Sequence, residues 1–250
     1  MPDLTTLEWA FLAVAGFLAG AVNAIAGGGS LLSFPALLAV GYGSVPANVT
    51  NMVALLPGYV GGSFAYRREL AGQRRRIVEL GVTAALGGLA GAVLLEVSPP
   101  GVFEAIVPFL ILLACALLAL QPRMARLLGQ RHGGLPAPAR HAALGLAAVY
   151  GGYFGAGLGI MLLAVLGIFV ADELQRLNAL KGLLSLIISA VAAVYFALFG
   201  PVAWVAALIM AAASLGGGHV GVALARRLSA ARLRAAVIVY GVVVAIVLLI

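Results

Sequence analysis

The stretch GAVNAIAGGGSLLSFPALLAV, residues 20–40, decides the fold because three consecutive glycines interrupt an otherwise apolar and uncharged segment. The apolar run around it extends over residues 7–42, whereas one membrane-spanning helix needs only about 20 residues. A second over-long apolar run covers residues 141–171, and it is interrupted by three glycines between positions 155 and 159. Each run therefore predicts a pair of helices separated by a glycine break.

Composition places the rest of the chain in a bilayer as well. Apolar residues make up 64% of the 250 residues, charged residues make up only 9%, and the mean hydropathy is +1.15. Soluble domains carry about 25% charged residues, so this chain lacks the polar surface that a water-soluble globule needs. The length allows at most about ten crossings and leaves no room for a soluble domain. Composition thus excludes a receptor with an ectodomain, a pump with a nucleotide-binding domain and most soluble enzymes.

Six further apolar runs, bounded by charge, proline or glycine, predict full spans. They cover residues 46–66, 77–97, 101–120, 176–199, 202–224 and 231–250. The predicted fold is an all-α integral membrane protein with about 8–10 transmembrane segments. We divide it into an N-terminal unit at 1–120, a basic linker at 121–140 and a C-terminal unit at 141–250. Each unit has three full spans and one glycine-broken pair.

The basic residues lie mostly in three loops, at 67–76, 123–140 and 226–234, while the connections near 97–101 and 199–202 carry none. Cytoplasmic loops of membrane proteins are enriched in arginine and lysine, so the three Arg-rich loops are predicted to be cytoplasmic. Both termini are then predicted to lie on the opposite side. The Arg-rich loops have no interleaved aromatic residues, and nucleic acid is not expected as a partner.

An internal repeat appears at an offset of 130 residues. The offset superimposes Gly27 and Gly29 on Gly157 and Gly159, Asn48 on Asn178, and Gly87, Gly88 and Gly91 on Gly217, Gly218 and Gly221. The loop at 67–76 has five arginines, but its equivalent at 197–206 has no charge. Equivalent loops are thus expected on opposite sides of the membrane. This pattern predicts two inverted-topology repeats, a plan of secondary transporters that places the substrate site at the repeat interface.

Two segments resemble the signatures of a known family. GAVNAIAGGGSLLSFPALLAVGYGSVPANVTNMVALLPG, residues 20–58, and GGYFGAGLGIMLLAVLGIFVADELQRLNALKGLLSLIIS, residues 151–189, are similar to the two halves of the sulfite exporter TauE/SafE family. The resemblance covers the whole chain, including the basic central linker. It implies transport of small anions, such as sulfite, sulfonates (organosulfonates) or other small organic anions, across the bacterial inner membrane. The termini would then be periplasmic.

The glycine breaks predict where an anion would bind. A helix that begins near Ser30 would direct free amide groups and a positive dipole end at Gly28 and Gly29. A helix that begins near Ile160 would do the same at Gly157 and Gly159. Irregular backbone in a membrane is tolerated only where it lines a cavity or is buried in protein. The alternative is close helix packing through small residues, which we favour for the glycines at 87–91 and 217–221.

Polar side chains near the breaks complete the predicted site. Asn48 and Asn51 lie one helical turn apart, and Asn178 and Lys181 have the same spacing in the second repeat. Lys181 is the only lysine in the chain and lies within an apolar run. The asparagines could instead join helices, and Lys181 could reach the headgroups or pair with a nearby carboxylate.

Asn23 precedes the first break and is expected to line the same cavity. Tyr153 precedes the second break, where it could form an aromatic wall beside the polar site or pack in the core. We predict no cofactor, no metal site and no enzymatic activity, because no metal-ligand spacing or catalytic motif is present. The predicted function is a secondary transporter that works by alternating access, with protons as a possible coupling ion and His219 as one candidate relay. An anion channel on the same scaffold and a non-transporting accessory protein are the alternatives.

Overall fold

The computed structural model describes residues 2–25, 28–99, 101–128, 136–224 and 230–250. These residues form ten α-helices and no β-strand. The helices are α1 (Thr6–Ile25), α2 (Ser30–Ala39), α3 (Ser44–Ala65), α4 (Arg74–Val97), α5 (Val102–Leu128), α6 (Ala137–Tyr153), α7 (Leu158–Phe169), α8 (Leu174–Phe199), α9 (Trp204–Leu224) and α10 (Ala230–Leu249).

Both over-long apolar runs are interrupted where the glycines stand. The first run is divided into α1, with 20 residues, and α2, with 10 residues. The second is divided into α6, with 17 residues, and α7, with 12 residues. At a rise of 1.5 Å per residue, α2 and α7 are only about 15–18 Å long, which is roughly half the thickness of the hydrocarbon core. Each run therefore consists of a longer helix followed by a half-length one.

The fold class predicted from the sequence is confirmed. Five helices are long and apolar enough to cross a membrane, counting only the described residues. These candidate spans are Thr6–Asn23, Arg74–Val97, Val102–Arg123, Leu174–Phe199 and Ala231–Leu249. The predicted spans at 46–66 and 202–224 correspond to α3 and α9. The chain is therefore a multi-pass integral membrane protein.

The helices on either side of the predicted linker are longer than the hydropathy pattern suggests. Helix α5 continues beyond residue 120 to Leu128, and α6 begins at Ala137. The stretch after Pro122 is rich in arginine, leucine, methionine and alanine, which are strong helix formers even where they are not apolar. Pro138 stands in the first turn of α6, where a missing amide hydrogen costs nothing. Charge thus ends the apolar runs here without ending the helices.

The two halves of the chain have the same order of helices. Ser44 and Leu174 begin α3 and α8, and Arg74 and Trp204 begin α4 and α9, so both pairs differ by 130 residues. Helix α1 packs mainly on α9, and α6 packs mainly on α4. The two pairs are equivalent, because the 130-residue offset relates α1 to α6 and α4 to α9. Helices α3 and α8 pack on each other, as do α5 and α10. The two halves are therefore interleaved.

Glycines outside the breaks hold these pairs close together. A Cβ built on Gly152 of α6 would overlap the carbonyl of Gly88 in α4, and one on Gly217 of α9 would overlap the carbonyl of Phe17 in α1. A Cβ on Gly91 would likewise overlap the Val149 carbonyl. The structure thus places these glycines at helix contacts, where small residues let backbones approach.

Candidate functional site

The first break, Gly28 and Gly29, is closed by side chains of its own repeat. Gly28 has a φ of +88°, a conformation that residues with a Cβ rarely adopt, and α2 starts two residues later at Ser30. The Gly29 amide donates to Asn23 Oδ1 at 2.8 Å. The Ser33 hydroxyl bonds to the Gly29 carbonyl, at 3.2 Å, and to Asn51 Oδ1. Gly27 lies outside the described residues.

The second break, Phe154–Gly157, is built differently. Gly155 and Gly157 have φ values of +80° and +76°, and α7 begins at Leu158, two residues before the predicted start. The Tyr150 hydroxyl, near the end of α6, donates to the Ala156 carbonyl and so stabilises the turn between α6 and α7. These contacts leave the first turn of α7 facing the side chains of α8, against which it packs.

Lys181 lies beside this first turn. A Cβ built on Gly159 would lie 3.8 Å from Lys181 Cδ and 3.9 Å from its Cε, so the lysine stem passes directly over the start of α7. The Lys181 ammonium donates to Asn178 Oδ1 at 3.3 Å. Both residues are half-buried. The only lysine of the chain is thus held next to a helix N-terminus inside the protein.

Helix α3 contacts both breaks, through Asn51 at the first and Asn48 at the second. Asn48 makes the contact with the second break. Its Nδ2 donates to the Tyr153 carbonyl at 2.9 Å, and it is fully buried. Its Oδ1 is buried too and has no partner among the described residues. The rings of Phe34, from α2, and Phe154 meet edge to face at 5.6 Å between centroids. The breaks are therefore neighbours at the interface between the two halves.

The structure sorts the predicted site residues into two groups and one link. Asn23, Gly28, Gly29, Ser30 and Asn51 surround the first break; Tyr153, Gly157, Gly159, Asn178 and Lys181 surround the second; Asn48 links α3 to the second. The Tyr153 ring packs on Phe103 at 5.6 Å between centroids, so its contribution to the link is its carbonyl. Thr50, on the same helix as Asn48, is not part of either group: its hydroxyl accepts a hydrogen bond from the Ala203 amide at 2.9 Å, just before α9.

Two residues of the site were missed by the sequence analysis. Ser33, which bonds to Asn51, is a lone hydroxyl in the otherwise apolar part of α2. Its position three residues after Ser30 could have flagged it. Tyr150 gave no such signal, because only the reversal of the chain after α6 brings its hydroxyl to Ala156.

An ion cluster on the Arg-rich face engages Asp172, one of two carboxylates that precede α8. Asp172 accepts from Arg76 and, at 3.0 Å, from Arg176. Burial alone would raise the pKa of the Asp172 carboxyl, but hydrogen bonds from the Glu173 amide, Arg176 and Arg76 outweigh it and hold that pKa below its ordinary value. Lys181 makes no ion pair with any described residue.

The same face carries a second link between the halves. Gln73, at the start of α4, is buried, and its Nε2 donates to the Glu69 carbonyl at 2.9 Å and to the Arg176 carbonyl at 3.3 Å. Together with Asp172, Arg76 and Arg176 it forms what we call the polar latch. The latch joins the loop before α4 to the corner between α7 and α8.

Two cavities lie away from the breaks. A cavity of about 240 Å³ is lined by Pro2, Trp9, Tyr42, Ala203, Trp204 and Val205, where α1 and α9 begin. An apolar groove between α4 and α8 is lined by residues such as Leu89, Val194 and Phe199. Ser33 and Asn51 at the first break are buried, with Asn51 1% exposed, and Asn23 is half-buried. His219, the candidate relay, is exposed on α9.

Comparison with known proteins identifies the family. The profile of the sulfite exporter TauE/SafE family matches residues 12–248. A probable membrane transporter protein, ORF9, of Sinorhizobium sp. is 29% identical, over 88% of this chain and 84% of its own length. Probable membrane transporter proteins of Haemophilus influenzae and Escherichia coli K12 (YfcA) are each 27% identical, over 85% and 82% of this chain and 83% and 76% of their own. No solved structure matches. The chain is therefore a membrane transporter protein that belongs to the sulfite exporter TauE/SafE family.

Proposed function

We propose that the protein is a secondary transporter of small sulfur-containing or organic anions, such as sulfite or a sulfonate, across the bacterial inner membrane. The observation that carries the proposal is the pair of half-length helices, α2 and α7, whose glycine breaks both face α5: a Cβ on Gly28 would contact Leu118, and one on Gly157 would contact Ala114. Helix N-termini bind anions through free amides and the helix dipole. Lys181 adds one fixed basic side chain at the second of them.

The helix directions support inverted repeats. Gly16 meets Met210 and Gly20 meets Ser214, so α1 and α9 run in the same direction. Gly87 meets Gly145 and Gly91 meets Val149, so α4 and α6 also run together. The Thr50–Ala203 bond brings the start of α9 to the first two turns of α3, whereas α4 begins at the other end of that helix. Helix α1 and its equivalent α6 thus run in opposite directions.

Alternating access would use the polar latch as the gate on the Arg-rich face, which we take to be cytoplasmic. Lys181 is five residues after Arg176 along α8, about 7.5 Å from this member of the latch. On the opposite face, the aromatic cavity at Trp9, Tyr42 and Trp204 would form the periplasmic vestibule. The latch ties α4 of one half to α8 of the other, so it must open for an anion to leave in that direction.

We expect Asp172→Asn to open this gate. The change removes the shared partner of Arg76 and Arg176 and leaves two like charges together. Because these pairs are partly exposed, each contributes about 0.2–1 kcal/mol, and we expect a roughly 3- to 10-fold faster reaction of a buried reporter cysteine. The reporter is Ser185→Cys in a Cys115→Ser background, labelled in inside-out vesicles with a membrane-impermeant thiosulfonate. Ser185 is only 2% exposed while the latch is closed, so the unopened protein should react slowly.

Glu173→Gln is the matched control, because Glu173 is adjacent and exposed and makes no ion pair with a described residue. It removes the same charge without touching the latch. Equal labelling rates in the Asp172→Asn and Glu173→Gln proteins would contradict the gate.

The proposed function itself is tested with purified protein. We expect sulfite or methanesulfonate, in a panel with sulfate and small carboxylates, to raise the unfolding temperature in detergent, because a ligand that binds only the folded state stabilises it. In proteoliposomes, flux should saturate with the bound anion and should be stimulated by the same anion on the opposite side. Single-channel conductance would indicate an anion channel instead. The absence of any stabilising anion would count against transport of this class.

A further inference from the structure

The two breaks differ in the side chains that surround them, although they are equivalent in sequence. At the first break, the Gly29 amide already has an acceptor, Asn23 Oδ1 at 2.8 Å. Asn51 Oδ1 is likewise engaged by the Ser33 hydroxyl. The protein thus supplies its own oxygen atoms to the start of α2. An anion placed there would have to displace bonds that the fold already makes.

At the second break the same positions carry donors. The Gly159 amide, in the first turn of α7, makes no hydrogen bond to a described residue, and the Ser30 amide at the start of α2 makes none either. Tyr153 stands where Asn23 stands in the first repeat, and its carbonyl is used by Asn48. Lys181 replaces Asn51 and brings an ammonium in place of an amide oxygen. The start of α7 therefore has an ammonium where the start of α2 has an amide side chain.

A buried hydroxyl adds an independent observation. Ser185 is 2% exposed, and its Oγ has no partner among the described residues. It lies one turn after Lys181, on the same face of α8. A Cβ built on Gly151 would touch both Leu158, the first residue of α7, and Ile188 of α8. One turn away, Gly159 of α7 lies next to the Lys181 side chain. Ser185 thus lies between these two contacts, level with the first turn of α7.

We propose that the charged head of the transported anion binds at the second break alone, at a half-site formed by Lys181, Ser185, Asn178 and the Gly159 amide. The inference rests on the proposed function and narrows it. The ligand class is an anion with one oxyanion head, since a single ammonium and a few neutral donors converge there. The first break, with Asn23, Ser33 and Asn51, is a closed structural joint.

Matched substitutions at equivalent positions test this asymmetry. Lys181→Met and Asn51→Leu each replace a polar head by an apolar group of similar size, and Ser185→Ala and Ser33→Ala each remove one hydroxyl. The dissociation constants of sulfite and methanesulfonate are measured by titration calorimetry on the full-length protein in detergent, after size-exclusion chromatography has verified folding. The serine pair provides the comparison if a larger substitution prevents folding.

We expect Lys181→Met to weaken binding by about tenfold or more and Ser185→Ala by about threefold or more, as for the loss of charged and neutral hydrogen bonds. Asn51→Leu and Ser33→Ala should lower the unfolding temperature and leave affinity within about twofold. If variants of both breaks weaken anion binding equally, the proposed asymmetry is wrong, but the proposed function as an anion transporter is not contradicted. If the unmodified protein binds neither anion, the proposed function fails, and this inference fails with it.

Discussion

The Gly152→Ala variant should unfold at a clearly lower temperature than the unmodified protein, or fail to accumulate in the membrane. A methyl group on Gly152 would overlap the Gly88 carbonyl oxygen and would lie 2.8 Å from the Gly88 carbonyl carbon. Backbone atoms cannot rotate away as a side chain can, so α4 and α6 would have to separate. Overpacking of this kind costs about 1–3 kcal/mol and occasionally more.

Gly145→Ala is the control, because it adds the same methyl group to the same face of α6. Its nearest neighbour there is Thr83 Cγ2 at 3.8 Å, which is ordinary van der Waals contact. Thermal unfolding in detergent, followed by tryptophan fluorescence, measures both variants. Equal unfolding temperatures for Gly152→Ala and Gly145→Ala would show that the close approach of α4 and α6 does not limit stability.

The Gly157→Ala variant should lose both stability and the shape of the second break. Gly157 has a φ of +76°, a left-handed conformation that costs a residue with a Cβ about 1–2 kcal/mol. The added methyl group also approaches Ala114 of α5, at 3.4 Å from its Cα. Relief requires the start of α7 to shift, which would remove Gly159 from the Lys181 stem. We therefore expect a lower unfolding temperature together with weaker anion binding.

Gly159→Ala separates backbone strain from added volume. Gly159 lies inside α7, and its new methyl group would make only ordinary contacts with Lys181, at 3.8 and 3.9 Å. Its unfolding temperature should therefore stay close to that of the unmodified protein. If Gly157→Ala is no less stable than Gly159→Ala, the left-handed turn is not required at the second break.

The positions of the breaks were predictable because they depend on local properties of the chain. An apolar run of more than 30 residues cannot be one straight crossing, and consecutive or alternating glycines are the residues that permit a left-handed turn. Helix α2 begins at Ser30 as predicted, and α7 begins two residues earlier than predicted. The helix ends near the linker were less predictable, because arginine interrupts an apolar run but has a high helix propensity.

The partners of the polar residues were not predictable to the same degree. Asn48, Asn51, Asn178 and Lys181 stand out in the sequence as polar residues at matched spacing, yet that pattern treats the two repeats alike. In the structure, Asn51 is hydrogen-bonded to Ser33, Asn48 to the Tyr153 carbonyl, and Lys181 to Asn178. Each partner depends on how the short helices turn back, and the Asn48 bond spans 105 positions along the chain.

The sequence by itself determined that this chain is an integral membrane protein with a duplicated helix plan and two glycine breaks. Hydropathy, glycine position and charge distribution are one-dimensional properties, and a bilayer forces the backbone between them into helices. Only the tertiary structure decided that the two breaks are unlike. Whether a buried amide or hydroxyl finds an acceptor depends on side chains that arrive from other helices, and a repeated spacing cannot encode which of them arrive. For that reason the Ser33 hydroxyl at the first break is bonded to Asn51, whereas the Ser185 hydroxyl near the second has no partner among the described residues.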